Sequence, residues 1–286
     1  MPPFKPTDFD SSNKIQWCPG CGDFPILFSI KNALAQLGIP GHETCIVSGI
    51  GCAGKLPHYV KTYGFESIHG RVLPTAAAIK LVNQKINVIG VGGDGDGYGI
   101  GMGHFIHIMR RNFDLVYIVH NNQVYGLTKG QTSPTSEKGY KSPSTPRGVI
   151  EVPVNPMALA IVSGATFVAR GYSGDLNQLS ELIKRAIQHR GFSLVDVFQP
   201  CISWNKVNTY QSFQKSTYKI DETKHDIHNK EAAMKLAMSS DKLPLGVLYQ
   251  EMRPTYDDEV IALKKGPVVS QDISDVDIKA VLQTYL

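Results

Sequence analysis

Two groups of residues in this sequence have the types and spacing that chemistry requires. The first is the turn Gly93–Gly97, with the sequence GDGDG, which Asn121-Asn122 follows after the next predicted strand. Glycines let a backbone approach a phosphate closely, and carboxylate or amide oxygens are the ligands that a hard cation such as Mg²⁺ prefers. This group therefore indicates a diphosphate that is held through a metal ion.

The GDGDG turn also has other interpretations. A turn of this composition, in isolation, is most often only a turn. A calcium-binding EF-hand would require a bidentate glutamate where Phe105 stands, and another ligand where Tyr98 stands. The glycines from Gly99 to Gly103 lack the G-x-G-x-x-G spacing of a dinucleotide-binding loop. Together with the asparagine pair after the next strand, the GDG turn resembles the thiamine diphosphate signature, and this resemblance favours thiamine diphosphate as the ligand.

The second group consists of cysteines. Cys18 and Cys21 form a C-P-G-C turn, Cys52 lies in a glycine-rich turn, Cys201 follows a predicted strand, and Cys45 lies inside an apolar strand. Cys45 is therefore expected in the core, and the other thiols are expected to be available. A C-x-x-C pair suits an iron–sulfur cluster, half of a zinc site or a redox-active pair. The polar segment before this pair argues against the redox-active pair, which would follow a strand.

The strands and helices that must position these residues are predicted to form an α/β sheet. Short apolar runs that are rich in β-branched residues are typical of buried parallel strands. The predicted strands are Thr44–Ser48, Ile86–Val91, Leu115–Val119, Thr166–Arg170 and Ser193–Phe198, and the predicted helices are Pro25–Leu37, one starting near Pro74, Gly101–Asn112, Asn155–Gly164 and Asp175–Arg190. This alternation predicts a doubly wound, mostly parallel sheet with helices on both faces.

The carboxyl ends of these strands are the expected site. Ligands of open α/β sheets collect at this edge, and each of the residues Cys52, Asp94, Asn122 and Cys201 follows a separate predicted strand. The Cys18–Cys21 turn need only fold across the same edge to complete a set of four thiolates. A zinc ion would accept the same ligands, so a structural zinc remains an alternative to an iron–sulfur cluster.

The remaining segments are an N-terminal arm, a long loop and a C-terminal extension. The loop Gln123–Arg147 is rich in Gly, Ser, Thr and Pro, and connections of that length are usually functional. Residues 1–204 are predicted to form one thiamine diphosphate-binding domain that includes the cysteine-containing arm. Residues 205–286 are predicted to form an extension that packs on this domain or on a partner subunit, with an edge strand at Leu243–Gln250 and a final helix from about Ile273.

Composition narrows the classes of function. The chain has 286 residues, of which 42% are hydrophobic and 19% charged, as expected of a globular protein with a large core. A net charge of +4 is too small to predict a nucleic-acid partner, although it would help to dock an acidic protein. No apolar run is long enough to span a membrane, and residues 1–10 do not resemble a leader, so a cytoplasmic location is expected.

As a set, these motifs resemble the β subunit of the 2-oxoacid:ferredoxin oxidoreductases. The matching segments are WCPGCG, GIGCAGKLPHY, HGRVLPTA, VGGDGDGYGIG, NNQVYGLTKGQ and VDVFQPC, with looser matches at LGVLYQ and PTY. The resemblance implies that Asp94, Asn122 and the Val124 carbonyl bind Mg²⁺. It implies that a [4Fe–4S] cluster is bound by Cys18, Cys21, Cys52 and Cys201. It also implies that thiamine diphosphate is contacted by Ile50, Gly51, Cys52, Ala53, Gly95, Asp96, Gly126 and Leu127.

Further residues have roles that the resemblance suggests. Lys129 would contact coenzyme A, and Lys55 and Leu127 would border the substrate pocket. A plain surface lysine is an equally good interpretation of either lysine. His58 and His69 are weaker pocket candidates, because a single histidine is more often structural than catalytic.

The implied activity is the oxidative decarboxylation of a 2-oxo acid, such as pyruvate or 2-oxoglutarate, to acyl-CoA and CO₂. Ferredoxin would accept the electrons through the cluster. Thiamine enzymes use a glutamate from a second α/β domain, and the sequence contains no clear second domain, so an α subunit is expected to supply it with most of the substrate pocket. The alternatives are a non-redox thiamine-dependent decarboxylase or synthase with a structural zinc, and a non-catalytic iron–sulfur protein that only transfers electrons.

Overall fold

The structure, a computed structural model, describes residues 3–272, 274 and 277–285. In chain order its strands are β1 (Thr44–Ser48), β2 (Tyr63–Glu66), β3 (Asn87–Gly93), β4 (Leu115–Asn121), β5 (Val124–Tyr125), β6 (Gln131–Thr132), β7 (Phe167–Tyr172), β8 (Phe192–Phe198), β9 (Thr217–Lys219) and β10 (Leu243–Gln250). Strands β5 and β6 form a short hairpin, and the others form one sheet.

The large sheet has eight strands in the order β2-β1-β3-β4-β8-β7-β10-β9. All neighbouring pairs are parallel except β7 and β10, which pair antiparallel. The chain adds β2 on one side of β1 and then continues on the other side with β3 and β4, so the strand order changes direction at β1. This is the topology of a doubly wound α/β sheet, and it confirms the predicted fold class.

Helices pack on both faces of the sheet. They are α1 (Asp23–Leu37), α2 (Val72–Val82), α3 (Met102–Arg111), α4 (Pro156–Ser163), α5 (Leu176–Gln188), α6 (Tyr210–Ser216), α7 (Lys230–Ala237), α8 (Tyr256–Glu259) and α9 (Lys279–Gln283). In β4, Val116 and Ile118 pack in a core with α1 and α5. Leu115, Tyr117 and Val119 pack in a second core with α2, α3, α4 and α7. Because alternate residues of a strand point to opposite faces, a strand buried on both sides is apolar throughout.

Capping residues set the ends of several helices. Helix α1 ends at Gly38, which has a left-handed φ of 68° that glycine adopts without strain. The Asn155 side chain accepts a hydrogen bond from the Ala158 N–H at the start of α4, and the Asp175 side chain accepts one from the Gln178 N–H at the start of α5. Among the described residues, no helix is both long and apolar enough to cross a membrane.

Two of the expectations about individual elements are wrong. Leu243–Gln250 is an interior strand, because β9 pairs with its outer side. Strand β2 was not expected at all, because its four residues are exposed and therefore lack the apolar pattern of a buried strand. Ile273, the predicted start of the final helix, lies outside the described residues. Helix α9 covers Lys279–Gln283. Residues 205–286 thus contribute β9 and β10 to the sheet, and the domain boundary at residue 204 stays a prediction.

Candidate functional site

The chemistry-bearing residues of the sequence meet at one edge of the sheet. Cys52, Asp94, Asn122 and Cys201 follow the carboxyl ends of β1, β3, β4 and β8, respectively. These four strands are direct neighbours in the sheet. Two cavities lie along this edge, and together they contain most of the residues that the sequence had singled out.

We call the first of these the rim cavity. It has a volume of about 170 Å³. Its walls come from the turns after β1, β3 and β4, and its lining residues are Ile50, Gly51, Cys52, Ala53, His69, Gly93, Asp94, Gly95, Asp96, His120, Asn122, Val124, Tyr125, Gly126, Leu127 and Thr128. Every residue that the resemblance assigned to Mg²⁺ or to thiamine diphosphate is in this set.

Asp94 is the most buried acidic residue of the rim cavity, with a relative exposure of 1%. Its Oδ2 accepts a hydrogen bond from Thr135 Oγ1 at 2.6 Å. Burial raises the pKa of the Asp94 carboxyl to about 6, against the opposing effect of hydrogen bonds from Ser133 and Thr135. Among the described residues no cationic side chain pairs with Asp94, so a bound cation would be its natural charge partner.

Asn122, Val124 and two glycines complete a setting that fits a metal-bound diphosphate. Asn122 Oδ1 faces the same turn as Asp94 and accepts the Val124 N–H at 3.1 Å. A Cβ built on Gly51 or on Gly93 would meet no atom within 4 Å, so both glycines border open space. Oxygen ligands beside glycine backbone are the donor set that Mg²⁺ and a diphosphate require, and the residues present therefore fit both groups.

Asp96 organises the turns around this cavity. Its Oδ1 accepts the backbone N–H of Ile50 at 3.3 Å and that of Gly70 at 2.8 Å. His69 Nδ1 lies 2.9 Å from the same oxygen, outside the alignment of a hydrogen bond. Burial raises the pKa of Asp96, although these contacts oppose the effect. Asp96 Oδ2 is buried without a hydrogen-bond partner among the described residues.

We call the second cavity the thiol cavity. It also has a volume of about 170 Å³, and it is bordered by Cys18, Cys21, Cys52 and Cys201. Cys18 is exposed, Cys52 is half-buried, and Cys21 and Cys201 are buried, so the expectation that all four are freely available is wrong for the last two. Cys45 lies in the core on β1, as predicted.

Burial opposes ionisation of three of these thiols. Burial raises the pKa of Cys52 to about 12 and also raises the pKa of Cys201. The pKa of Cys21 is raised by burial and, in addition, by the nearby Asp23 carboxylate. A metal must therefore displace the thiol protons when it binds. Among the described residues, no group of three His, Cys, Asp or Glu side chains encloses a single metal ion, whereas all four cysteines border this larger space.

The two cavities share a wall. Cys52, Gly126 and Leu127 line both of them. A Cβ built on Gly126 would lie 3.4 Å from Cys201 Sγ and 3.8 Å from Cys52 Sγ, so the backbone at this position runs directly against two of the thiols. Groups bound in the two cavities would consequently be separated by a single layer of protein.

Some of the predicted residues lie elsewhere on this edge. Lys55 borders the thiol cavity and not the rim cavity. Lys129 is exposed, with a left-handed φ of 74°, and lines neither cavity. His58 pairs with Glu66 at 2.9 Å on the surface and also lines neither cavity, whereas His69 does line the rim cavity. The roles of Lys55 and Lys129 thus stay predictions.

Sequence reasoning missed three buried polar residues at this edge. They are His120, whose Nδ1 lies 2.6 Å from Asp23 Oδ1, Thr135 and Gln199. His120 stands two positions before Asn122, and Gln199 stands two positions before Cys201. Side chains two positions apart in an extended chain point to the same side, so this spacing is a signal that could have identified both residues. Thr135 lies in the loop that follows β6, where no comparable signal exists.

Known proteins with similar sequences and structures belong to one family. Residues 49–197 match the family model "Thiamine pyrophosphate enzyme, C-terminal TPP binding domain". Residues 201–265 match the family model for the C-terminal part of the beta chain of pyruvate ferredoxin oxidoreductase. The β subunit of the 2-oxoacid:ferredoxin oxidoreductase of Saccharolobus solfataricus is 46% identical over 258 residues, which is 85% of this chain and 85% of that protein.

Two further relatives have 2-oxoglutarate in their names. The 2-oxoglutarate oxidoreductase subunit KorB of Mycobacterium tuberculosis is 46% identical over 203 residues, covering 71% of this chain and 54% of that protein. The solved 2-oxoglutarate:ferredoxin oxidoreductase of Magnetococcus marinus, with 2-oxoglutarate, coenzyme A and succinyl-CoA bound, superposes with a TM-score of 0.93 at 36% identity, covering 100% of this chain and 97% of that one. The chain therefore belongs to the β subunits of the 2-oxoacid:ferredoxin oxidoreductases.

Proposed function

We propose that this protein, together with an α subunit, catalyses the coenzyme A-dependent oxidative decarboxylation of a 2-oxo acid. In this reaction the bond to the carboxylate carbon breaks and CO₂ leaves, the acyl carbon bonds to the sulfur of coenzyme A, whose thiol proton is released, and two electrons pass one at a time to ferredoxin. The observation that carries the proposal is the wall shared by the rim cavity and the thiol cavity. Decarboxylation on one side of that wall would lie next to an electron acceptor on the other.

The rim cavity would hold thiamine diphosphate and Mg²⁺. When bound, thiamine diphosphate supplies the carbon nucleophile that allows a 2-oxo acid to lose CO₂. Asp94, Asn122 and the Val124 carbonyl would bind the metal. Gly95, Asp96 and Gly126 would line the diphosphate. The Asp96 carboxylate would also hold the Ile50 turn in place, because it accepts a hydrogen bond from the Ile50 N–H.

The thiol cavity would hold a [4Fe–4S] cluster on Cys18, Cys21, Cys52 and Cys201. Such a cluster supplies a low-potential electron acceptor, and one thiolate for each iron is its usual ligation. The Trp17 indole N–H donates to the Cys52 carbonyl at 2.8 Å, which ties the Cys18–Cys21 turn to the turn that carries Cys52. Lys129 would contact coenzyme A, and Lys55 and Leu127 would border the substrate.

An α subunit would cover the rim cavity. Among the described residues, the lining of this cavity contains aspartates but no glutamate, so the glutamate that thiamine enzymes use would come from a partner. Ile50 and Leu127, which line the cavity, are 41% and 47% exposed. Ile68 and Ile100, at 71% and 57% exposure, lie beside Gly70, whose N–H donates to Asp96 of the same cavity. We call these four apolar side chains the apolar mouth. Exposed apolar clusters of this kind mark interaction surfaces. The α subunit would thereby also supply most of the substrate pocket.

The decisive experiment uses the chain co-expressed with its α subunit and purified without oxygen. We expect a brown complex that contains iron and sulfide and that reduces a low-potential dye with one or more members of a 2-oxo acid panel, dependent on coenzyme A. Pyruvate, 2-oxoglutarate and branched 2-oxo acids belong in the panel. A colourless complex with stoichiometric zinc would refute the cluster, and a complex without extractable thiamine diphosphate would refute the coenzyme. Full activity of this chain alone would refute the division between two subunits.

A further inference from the structure

Gln199 lies between the two proposed metal centres and contacts a residue of each. Its side chain is buried, with a relative exposure of 1%. The Gln199 Nε2–H group donates to Cys21 Sγ at 3.2 Å. Gln199 Oε1 accepts from Asn122 Nδ2 at 2.8 Å. One amide group therefore connects a thiol of the thiol cavity with an asparagine of the rim cavity.

The surrounding backbone fixes Gln199 in this position. Its N–H donates to the Asn121 carbonyl at 3.0 Å, which continues the pairing of β8 with β4 by one residue. The Gly22 N–H donates to the Pro200 carbonyl at 3.2 Å. A Cβ on Gly22 would lie 2.9 Å from Gln199 Cγ, so glycine at this position lets the Cys21 turn approach the glutamine closely.

We propose that Gln199 is a positioning residue that hydrogen-bonds to both centres and thereby sets the magnesium ligand and tunes the cluster. The inference rests on the proposed function, because it assumes that both groups are bound. It concerns a residue to which the resemblance assigned no role.

At the rim cavity, Gln199 fixes the orientation of the Asn122 side chain. The Asn122 amide nitrogen donates to Gln199, and Oδ1, which accepts the Val124 N–H, keeps its second lone pair for a cation. Hydrogen-bond partners of this kind orient metal-binding side chains, and their loss typically weakens metal binding by about tenfold to a hundredfold.

At the thiol cavity, Gln199 donates a hydrogen bond to a ligand sulfur. Cys21 Sγ also lies 3.4 Å from Asp23 Oδ2, and this carboxylate cannot donate a hydrogen bond to a thiolate. The Gln199 amide is therefore the side-chain donor that Cys21 keeps once its proton has been displaced. Hydrogen bonds to the ligand sulfurs stabilise the more negative, reduced form of a cluster, and they raise its potential.

The test is Gln199→Met, a substitution of similar shape that removes both hydrogen bonds, in the co-expressed complex. We expect Mg²⁺-dependent thiamine diphosphate binding to weaken by about tenfold to a hundredfold, and the cluster potential in an EPR-monitored redox titration to become more negative. Gln211→Met, at an exposed position on α6, is the matched control and should change neither quantity. If either quantity stays at its wild-type value in Gln199→Met, Gln199 does not connect the two centres.

A measurement on unsubstituted protein covers the case in which Gln199→Met does not fold. In a complex labelled with ¹⁵N in the glutamine side chains, pulsed EPR of the reduced cluster should detect a nitrogen coupling. The coupling should persist in Gln16→Met, which replaces a glutamine that lines the thiol cavity. Absence of the coupling overturns the inference. A wild-type complex without iron and sulfide would instead overturn the proposed function, so the two failures are distinguishable.

Discussion

Asp94 is the side chain on which metal binding is expected to depend most. It is buried, its carboxylate is held by Thr135, and it is the charged member of the proposed ligand set. Because carboxylate oxygens are the main protein ligands of Mg²⁺, Asp94→Ala should abolish Mg²⁺-dependent thiamine diphosphate binding. Iron and sulfide content should remain at the wild-type level, since no thiol changes. A fluorescence titration with the coenzyme and a colorimetric iron and sulfide assay measure the two quantities.

Glu151→Ala is a suitable control for this variant, because Glu151 is exposed and remote in sequence from every proposed ligand. It should leave both quantities unchanged. If Asp94→Ala binds the coenzyme as tightly as wild type does, Asp94 is not a magnesium ligand. If the variant loses iron as well as coenzyme binding, the substitution has damaged the fold.

Some residues of the site could be predicted from their chemical type and from their position at the end of a predicted strand. Asp94 and Asn122 could be located because their chemistry and their place after apolar runs are visible in short stretches of sequence. The contacts of Thr135 with Asp94 and of Gln199 with Cys21 could not be predicted, because the two residues of these pairs lie 41 and 178 positions apart in the chain. A single sequence does not reveal side-chain pairs of this kind, which depend on how the strands and loops assemble.

At the scale of elements, the strands that are buried on both faces could be predicted from the sequence, and the exposed strand could not. The strands β3, β4 and β8 are buried on both faces and form apolar runs, so their positions were predicted to within a few residues. The short strand β2 is exposed along its length and carries no such signal. The place of β10 was misjudged because the small strand β9, which covers its outer side, comes from a polar stretch.

Helix α8 gives a pH-dependent prediction for the C-terminal segment. The Thr255 N–H donates to Asp258 Oδ2 at 2.9 Å, and the Tyr256 ring stacks on Phe113 at 4.5 Å. This hydrogen bond, with the Arg190 ion pair, lowers the pKa of Asp258. Because the folded-state pKa lies below the unfolded value, the carboxylate stabilises the fold above the unfolded pKa, and this contribution is lost as the pH falls through the folded pKa.

Asp258→Ala should therefore lower the free energy of unfolding at neutral pH, by less than about 1 kcal/mol because the side chain is largely solvated. The difference from wild type should shrink in acid, as urea denaturation at a series of pH values would measure. Asp241→Ala is the control, since this exposed side chain makes no hydrogen bond within the described part of the chain. A difference that does not change with pH would contradict the charge-based explanation.

At the scale of the whole molecule, the apolar mouth beside the rim cavity predicts where the proposed α subunit binds. Ile68 is 71% exposed, beside the turn that contacts Asp96 through Gly70. Burying an introduced charge without a partner is costly, so Ile68→Asp should weaken the complex of the two subunits at least about tenfold. Co-purification and analytical ultracentrifugation of the co-expressed subunits measure this change.

Val162→Asp provides the comparison, because Val162 is 65% exposed on α4 and this helix contributes no residue to the rim cavity, whereas His69, next to Ile68, lines it. It should leave the complex intact. If Ile68→Asp assembles as well as wild type, the α subunit does not cover this mouth.

The cysteines of the thiol cavity come from distant parts of the chain, and this separation limits when a cluster could be inserted during synthesis. Cys21 and Gln199 meet in the folded chain although 178 positions separate them, and Cys201 lies two residues beyond Gln199. Contacts between such distant segments form late, after the intervening strands have paired. A nascent chain that still lacks β8 would present only the first three cysteines of the set. The proposed cluster could therefore be completed only after the ribosome has passed Cys201, at position 201 of 286.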